Sequence, residues 1–266
     1  MDDSLNIPML MSGLKKIKRM TQDGTQLVAS AVGEVGANLV ALQMYPLGVV
    51  NSRRRGVPHS RTCMNPRPII LVHGVVHNHS AFWFMKRRMK ALGWQNIYSI
   101  NYSTFHGSLT GMVEQLSKTV EEVRQQTHSD QVDIVAHSLG GIVSRYYMTI
   151  GAGRGRVKNL VTLGTSHLGT NLSFFLRGLV LGGSLHWDLR SESYLMKTLS
   201  ETALPEGSKI TSIYCVHDQT VWPRGQCLCQ GEPKKAFKNL EVKNVGHLGL
   251  LYSRPVFDQI TDLLVE

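Results

Sequence analysis

A serine in the segment VDIVAHSLGG, residues 132–141, lies between an apolar run and a stretch with helical spacing. On such a sharp strand-to-helix turn a serine hydroxyl is exposed and can act as a nucleophile. Ala136 and Gly140, two residues to either side, are small enough to let strand and helix approach; the usual pattern has glycine at both positions. We therefore predict that Ser138 is a nucleophile. The alternative is a serine that merely caps the helix N-terminus.

A serine hydroxyl is a poor nucleophile at neutral pH and needs a neighbouring base. The histidines downstream of Ser138 are His167, His186, His217 and His247. Of these, His247 follows the last predicted strand and precedes the last predicted helix, and loops at the carboxyl ends of parallel strands are where such sheets present functional groups. His247 is therefore the predicted base. His137 and His217, which adjoin other candidates, are interpreted as packed neighbours.

An acid is needed to orient the base, and it should lie between Ser138 and His247 in the chain. Asp218 is the one acidic residue in this interval that directly follows a strong predicted strand, residues 210–216. Its carboxylate could accept the imidazole Nδ1–H and stabilise the imidazolium. Asp133 also lies near the serine, but within the strand before it, and we interpret it as structural.

The first predicted strand ends in a His-Gly pair, His73-Gly74. Glycine allows the backbone to turn there, so that the next N–H can point at a developing oxyanion. The predicted donors are the backbone N–H groups of Val75 and of Leu139, the residue after the nucleophile.

Two groups of residues raise the question of a metal. His73, His77 and His79 have loop spacing that could hold zinc, but no cysteine or carboxylate lies nearby to complete a tetrahedron. Cys227 and Cys229 are one residue too close for the usual Cys-x-x-Cys turn, so free thiols or one loop disulfide are expected. We predict no metal and no cofactor.

Short apolar runs alternate with amphipathic stretches from residue 67 to the end of the chain. The predicted strands are 68–72, 97–101, 131–135, 158–163, 209–216 and 239–243. The predicted helices between and after them are 80–92, 109–127, 139–150 and 254–264. This order predicts an α/β fold with a mostly parallel sheet of about six strands and helices on both faces.

The chain of 266 residues suits one large domain rather than two. Residues 1–66 are interpreted as a basic leader, a helix near 25–45 and a linker, and residues 67–266 as the catalytic domain. Within it, residues 171–207 form an apolar insertion expected to fold into one or two short helices. That insertion would serve as a lid or acyl pocket, or would simply pack on the domain.

The formal net charge is +10, which favours anionic partners. No nucleic-acid motif accompanies the basic residues, so no nucleic-acid partner is predicted, and the alternatives are a solvated basic face or an anionic membrane surface. Glu34 and Asn38 interrupt the most apolar stretch, residues 27–50, so we predict no clear transmembrane helix. A cytoplasmic or membrane-associated protein is favoured over a secreted one, and the oligomeric state stays open.

The segments VDIVAHSLGG, NLVTLGTSHLGT, ITSIYCVHD and VGHLGLLYS together resemble the small bacterial lipases of the class 2 lipase family. The resemblance runs from about Pro68 to the C-terminus. It implies an α/β-hydrolase fold, a triad of Ser138, Asp218 and His247, and an oxyanion hole at Val75 and Leu139. The smallest members have neither a real lid nor a counterpart of residues 1–66.

The function expected from these residues is hydrolysis of lipid-like carboxylic esters through an acyl-enzyme on Ser138. The same residues would also suit a thioesterase or an acyltransferase. A third possibility is a membrane-associated module whose hydrolase fold is not catalytic.

Overall fold

The fold is organised around a sheet of six parallel strands in the order β2-β1-β3-β4-β5-β6. The structure, a computed structural model, describes residues 7–50, 65, 67–104, 108–170, 185–221 and 223–265, with the side chains of 23–46 in the first helix. The strands are β1 (Ile69–Val72), β2 (Ile97–Ser99), β3 (Val132–His137), β4 (Val157–Leu163), β5 (Lys209–Cys215) and β6 (Phe237–Val242). The predicted parallel sheet of about six strands is confirmed.

Strand β1 is apolar along its whole length because both faces of the sheet are covered. Every residue of β1 and β3 is buried. Alternate residues of β1 contribute to two separate cores, with Ile70 and Val72 on one face and Ile69 and Leu71 on the other. A strand of this kind shows no polar alternation, which is the expected pattern for a parallel sheet between two layers of helices.

The helices are α1 (Ile7–Val50), α2 (Trp83–Ala91), α3 (Leu109–Thr127), α4 (Leu139–Thr149), α5 (Leu185–Asp188), α6 (Tyr194–Glu201) and α7 (Arg254–Val265). Residues of α3, α4 and α6 pack on one face of the sheet. Residues of α1, α2 and α7 pack on the other. Single-turn 3₁₀ helices connect several elements, including Leu248–Leu251 just before α7.

Helix α1 is longer than predicted. It begins at Ile7 rather than near residue 25, so most of the expected loose leader is helical. Pro8 lies in its first turn, where the missing N–H removes no helical hydrogen bond. By length and composition alone, the described residues contain one segment that could cross a membrane, Asp23–Pro46 within this helix.

Two opposite faces of α1 differ in what they contact. Ser30, Glu34, Ala37 and Ala41, spaced by four, three and four residues, are buried or half-buried, whereas most of their neighbours are exposed. Ala37 belongs to the core that includes α2 and α7, and the carbonyl of Tyr45 accepts a hydrogen bond from the Asn78 side chain at 2.9 Å. The other face carries an exposed apolar stripe with the same spacing, made of Val28, Val32, Val35, Leu39 and Leu42.

The insertion at 171–207 is described only in its second part. Residues 171–184 lie outside the described residues. The remainder contains the short helices α5 and α6. Leu185, Met196 and Leu199 pack into the same core as α3 and α4.

Candidate active site

Ser138 lies between β3 and α4 in a conformation that is rare for a residue with a side chain. Its φ is 53° and its ψ is −124°. The surrounding backbone holds it there, since its N–H donates to the carbonyl of Leu163 at 2.9 Å and its carbonyl accepts from Thr165 Oγ1 at 2.9 Å. The backbone of a non-glycine residue with a positive φ is strained, and such strain is found at catalytic nucleophiles.

The turn is this tight because Gly140 brings the helix against the first strand. A Cβ on Gly140 would lie 2.5 Å from the carbonyl oxygen of Val72 and 2.6 Å from that of His73. Both neighbours are backbone atoms and cannot rotate away. The small residue that the sequence pattern required at this position is therefore needed for packing between α4 and β1.

The loop after β1 runs directly beside the serine. A Cβ on Gly74 would lie 2.9 Å from the Cβ of Ser138. The loop is fixed by two hydrogen bonds, from His77 Nδ1 to the carbonyl of Val75 at 2.8 Å and from the Val76 N–H to Thr104 Oγ1 at 3.0 Å. Val75 and Leu139 both line the cavity that contains Ser138. Leu139 is the first residue of α4, where a helix has no internal acceptor for the N–H.

Asp218 and His247 are joined by a short hydrogen bond. The distance from His247 Nδ1 to Asp218 Oδ2 is 2.8 Å. The other carboxylate oxygen, Oδ1, accepts from the N–H groups of Thr220 and Val221, each at 2.7 Å. These backbone donors fix the carboxylate, and the carboxylate in turn fixes the ring, so that Nε2 is the free nitrogen of His247.

The two groups shift one another's pKa in the directions expected for an ion pair. Burial works to raise the pKa of the Asp218 carboxyl, but His247 and the backbone donors outweigh burial and hold this pKa below its ordinary value. Burial works to lower the pKa of His247, but Asp218 and then Glu34 outweigh it and raise this pKa. The site therefore stabilises an imidazolium on His247.

A cavity of about 580 Å³ brings the candidates together. Ser138, His247, Val75 and Leu139 line it, whereas Asp218 is buried behind His247. Apolar side chains form much of the wall, among them Ile142, Leu189, Val221 and Leu248. A volume of this size is within the usual range for small-molecule sites, about 300–1,000 Å³.

His137 supports the loop that carries His247. Its Nε2 donates to the carbonyl of His247 at 3.2 Å, and the two rings lie with their centroids 4.8 Å apart. Burial lowers the pKa of His137 well below its ordinary value, so the ring is neutral. This agrees with the interpretation of His137 as a hydrogen-bonded neighbour.

His73, one of the histidines considered for metal binding, has other partners. His73 donates from Nδ1 to the carbonyl of Gly74 at 2.9 Å and its ring stacks on Tyr102. Cys227 and Cys229 are buried free thiols. Within the part of the chain that the structure describes, no three His, Cys, Asp or Glu side chains are grouped closely enough to hold a metal ion.

Glu34 and Asn38 of α1 are among the residues of the cavity wall that the sequence did not predict. The only signal available was that both are polar within an otherwise apolar stretch. Asp133, in contrast, was interpreted as structural, and its carboxylate pairs with Arg67 at 2.9 Å and accepts from the N–H of Asn159 at 3.0 Å.

Comparison with known proteins gives consistent results. The family model described as lipase (class 2) matches residues 66–248. Triacylglycerol lipases of Pseudarthrobacter phenanthrenivorans and Burkholderia plantarii are each 30% identical over 118 residues, which is 41% of this chain. The chain spans about a third of the length of these curated relatives, 36% and 32% respectively.

Solved structures show the same fold at low identity. The mature Bacillus licheniformis lipase BlEst2 superposes with a TM-score of 0.64 at 16% identity, covering 80% of this chain and 97% of that one. Aspergillus fumigatus lipase B gives 0.61 at 15% identity, covering 75% and 52%. These similarities identify the architecture as an α/β-hydrolase fold. Because the family model covers more than half of the chain, the chain belongs to the class 2 lipase family.

Proposed function

We propose that this protein is a serine hydrolase that cleaves lipid-like carboxylic esters through an acyl-enzyme on Ser138. The observation that carries the proposal is one cavity lined both by a serine at a strained strand-to-helix turn and by a histidine held by a buried carboxylate. Membership of the class 2 lipase family supports the same chemistry.

In the acylation step, Nε2 of His247 takes the proton of the Ser138 hydroxyl as Oγ attacks the ester carbonyl. The resulting oxyanion accepts hydrogen bonds from the backbone N–H groups of Val75 and Leu139. The C–O bond to the alcohol then breaks, and the imidazolium returns the proton to the departing oxygen. Asp218 keeps Nδ1 protonated and stabilises the imidazolium throughout.

In the deacylation step, His247 takes a proton from water, which attacks the acyl carbon. The second oxyanion collapses with cleavage of the bond to Ser138 Oγ, and His247 returns the proton to that oxygen. The carboxylic acid leaves and the free serine is restored. Serine, histidine and water supply all of the proton transfers, so the cycle requires no cofactor.

The test is hydrolysis of p-nitrophenyl esters from acetate to palmitate, with labelling by a fluorophosphonate probe. We expect activity to be highest on medium or long acyl chains, because the cavity wall is largely apolar. Ser138→Ala should abolish both turnover and labelling. The matched control is Ser166→Ala, since Ser166 is a second serine in the same cavity wall, and labelling should persist in it. Turnover that survives in Ser138→Ala contradicts the proposal.

We also propose that α1 binds an anionic lipid surface. Its outward stripe, Val28, Val32, Val35, Leu39 and Leu42, is 57% to 72% exposed. The basic run KKIKR at 15–19 lies on the same helix and would attract anionic headgroups. Because Ser30, Glu34 and Ala37 face the domain, the docked helix lies along the surface rather than across the bilayer.

Sedimentation with vesicles tests this binding. We expect binding to phosphatidylglycerol-containing vesicles, weaker binding to pure phosphatidylcholine, and a loss in the double variant Val32→Ser with Val35→Ser. Leu92→Ser is the matched control, since Leu92 is 54% exposed and lies outside α1. Equal binding to both vesicle types, or self-association through the stripe without vesicles, counts against the proposal.

A further inference from the structure

Glu34 of α1 contacts the backbone that carries the predicted base. Its Oε1 accepts from the N–H of Leu248 at 2.9 Å, and its Oε2 accepts from the N–H groups of Leu248 and Gly249 at 3.0 and 3.1 Å. Leu248 begins a 3₁₀ helix immediately after His247, so its N–H has no acceptor within that helix. Hydrogen bonds to a carboxylate are about twice as strong as bonds between neutral groups.

The fit between α1 and this loop is close. A Cβ on Gly246 would lie 2.3 Å from Glu34 Oε2 and 2.8 Å from Glu34 Cβ. Gly246, the residue before His247, therefore leaves the space that the Glu34 side chain occupies against the loop. This spacing indicates a specific contact rather than a surface side chain resting on a loop.

The loop is held from three directions. Asp218 holds the ring of His247, His137 holds its carbonyl, and Glu34 holds the two N–H groups that follow it. A general base must be placed within a few tenths of an ångström of the proton that it takes, so each constraint on this loop bears on catalysis.

We propose that Glu34 is a positioning residue for the reaction: its carboxylate fixes the backbone after His247 and adds negative charge beside the imidazolium, which makes α1 a part of the active site. This rests on the proposed function of Ser138 and His247. Glu34 lies outside residues 66–248, the part of the chain that matches the family model. The contact is thus an addition to the catalytic machinery within those residues.

The charge of Glu34 acts in the same direction as that of Asp218. The titratable groups that face His247 are Asp218, Glu34, His77 and His137. The two carboxylates raise the pKa of His247, and burial lowers the pKa of both His77 and His137, which favours their neutral forms. Removing the charge of Glu34 should therefore lower the pKa of His247.

The variants Glu34→Ala, Glu34→Gln and Glu34→Asp separate the two effects. Glu34→Ala loses contact and charge, and kcat should fall by about tenfold to a hundredfold with KM little changed. Glu34→Gln keeps one acceptor oxygen but no charge, so its loss should be smaller and the acidic limb of kcat/KM should move to lower pH. Glu34→Asp keeps the charge and should recover part of the activity.

The control is Asp23→Asn, which removes one negative charge from the same helix, about three turns before Glu34. It should change neither kcat nor the acidic limb. Circular dichroism melting checks that each variant is folded. NMR titration of the His247 imidazole in wild type and Glu34→Gln gives a readout that does not depend on turnover.

The results distinguish this inference from the function on which it rests. If Ser138→Ala retains wild-type turnover, the proposed function fails, and the NMR titration alone then decides whether Glu34 acts on His247. If Ser138→Ala is inactive while folded Glu34→Ala keeps wild-type kcat, Glu34 is not a positioning residue. An unchanged His247 titration in Glu34→Gln also overturns the positioning role of Glu34, and so does an effect of Glu34→Ala that is confined to KM.

Discussion

Replacing Asp218 with asparagine should disable the base while preserving the fold. Asp218 Oδ1 accepts from the N–H groups of Thr220 and Val221, and an asparagine oxygen can accept both of these bonds. The asparagine Nδ2 then takes the place of Oδ2 and faces Nδ1 of His247. Two donors cannot face each other, so the proton moves to Nε2 and the ring can no longer accept the proton of Ser138.

The expected loss combines the wrong tautomer with the missing charge. An asparagine in the place of a triad aspartate lowers kcat by about 10⁴. At about 1.36 kcal/mol for each factor of ten, this corresponds to about 5.5 kcal/mol of transition-state stabilisation. At a pH above the pKa of His247, where the imidazole is neutral, the melting temperature should change little, because both backbone hydrogen bonds are kept and the side-chain volume is almost the same.

The assay is kcat on a p-nitrophenyl ester, followed beside the rate of fluorophosphonate labelling. Asp130→Asn is the matched control, because Asp130 is exposed and lies at the opposite end of β3 from Ser138. Folded Asp218→Asn with kcat within about tenfold of wild type would refute the reasoning. Loss of the folded state in this variant would refute the claim that the two backbone bonds are preserved.

Three further predictions concern stability, measured by denaturation. Gly140→Ala should lower the free energy of unfolding by about 1–3 kcal/mol, because its Cβ would lie 2.5 Å from the Val72 carbonyl oxygen. Gly24→Ala is the control: nothing lies within 4 Å of its Cβ, and it should stabilise α1 by about 0.5–1 kcal/mol. Equal effects of the two variants would contradict the packing argument. Arg145→Met should lower the free energy of unfolding by about 2–3 kcal/mol or more. Buried Arg145 donates hydrogen bonds to the carbonyls of Leu199 and Gln230 at 2.8 and 2.9 Å, and both carbonyls would lose this donor. An unchanged stability would show that these carbonyls find other donors. The melting-temperature gap between wild type and Asp218→Asn should be wider at about pH 5.5 than at about pH 9. Because Asp218 raises the pKa of His247, the pair stabilises the fold fully below the ordinary histidine pKa of about 6.5, and this stabilisation is lost as pH rises through the pKa of the folded state. A gap that does not change with pH would refute this prediction.

The parts of the structure that the sequence predicted well are those that depend on local pattern. The central strands β1 and β3 are short, mostly apolar and buried along their whole length, so they stand out from the helices beside them. Ser138 follows β3, Asp218 follows β5 and His247 follows β6. In a parallel sheet these carboxyl ends meet at one edge, which is why residues 80 and 29 positions apart could be expected in one site.

The parts that the sequence did not predict depend on contacts over long distances along the chain. Glu34 lies 214 residues before Leu248, and no local pattern relates the two positions. In the sequence Glu34 and Asn38 only interrupted an apolar stretch, which argued against a transmembrane helix. Their position in the cavity wall follows from the packing of Ser30 and Ala37 on the domain, which is a tertiary property.

The two faces of α1 imply that the helix supports the site rather than switching it. The outward stripe is separate from the inward face, which holds Glu34 on the loop after His247. A lipid surface can shift a protein between two states only by binding one of them better. Lipid contact with the outward stripe leaves the inward contacts in place, and pulling α1 away would cost the hydrogen bonds from Leu248 and Gly249. If α1 binds a lipid surface as proposed, the inward contacts of Glu34 would therefore keep the loop after His247 fixed while the helix is bound.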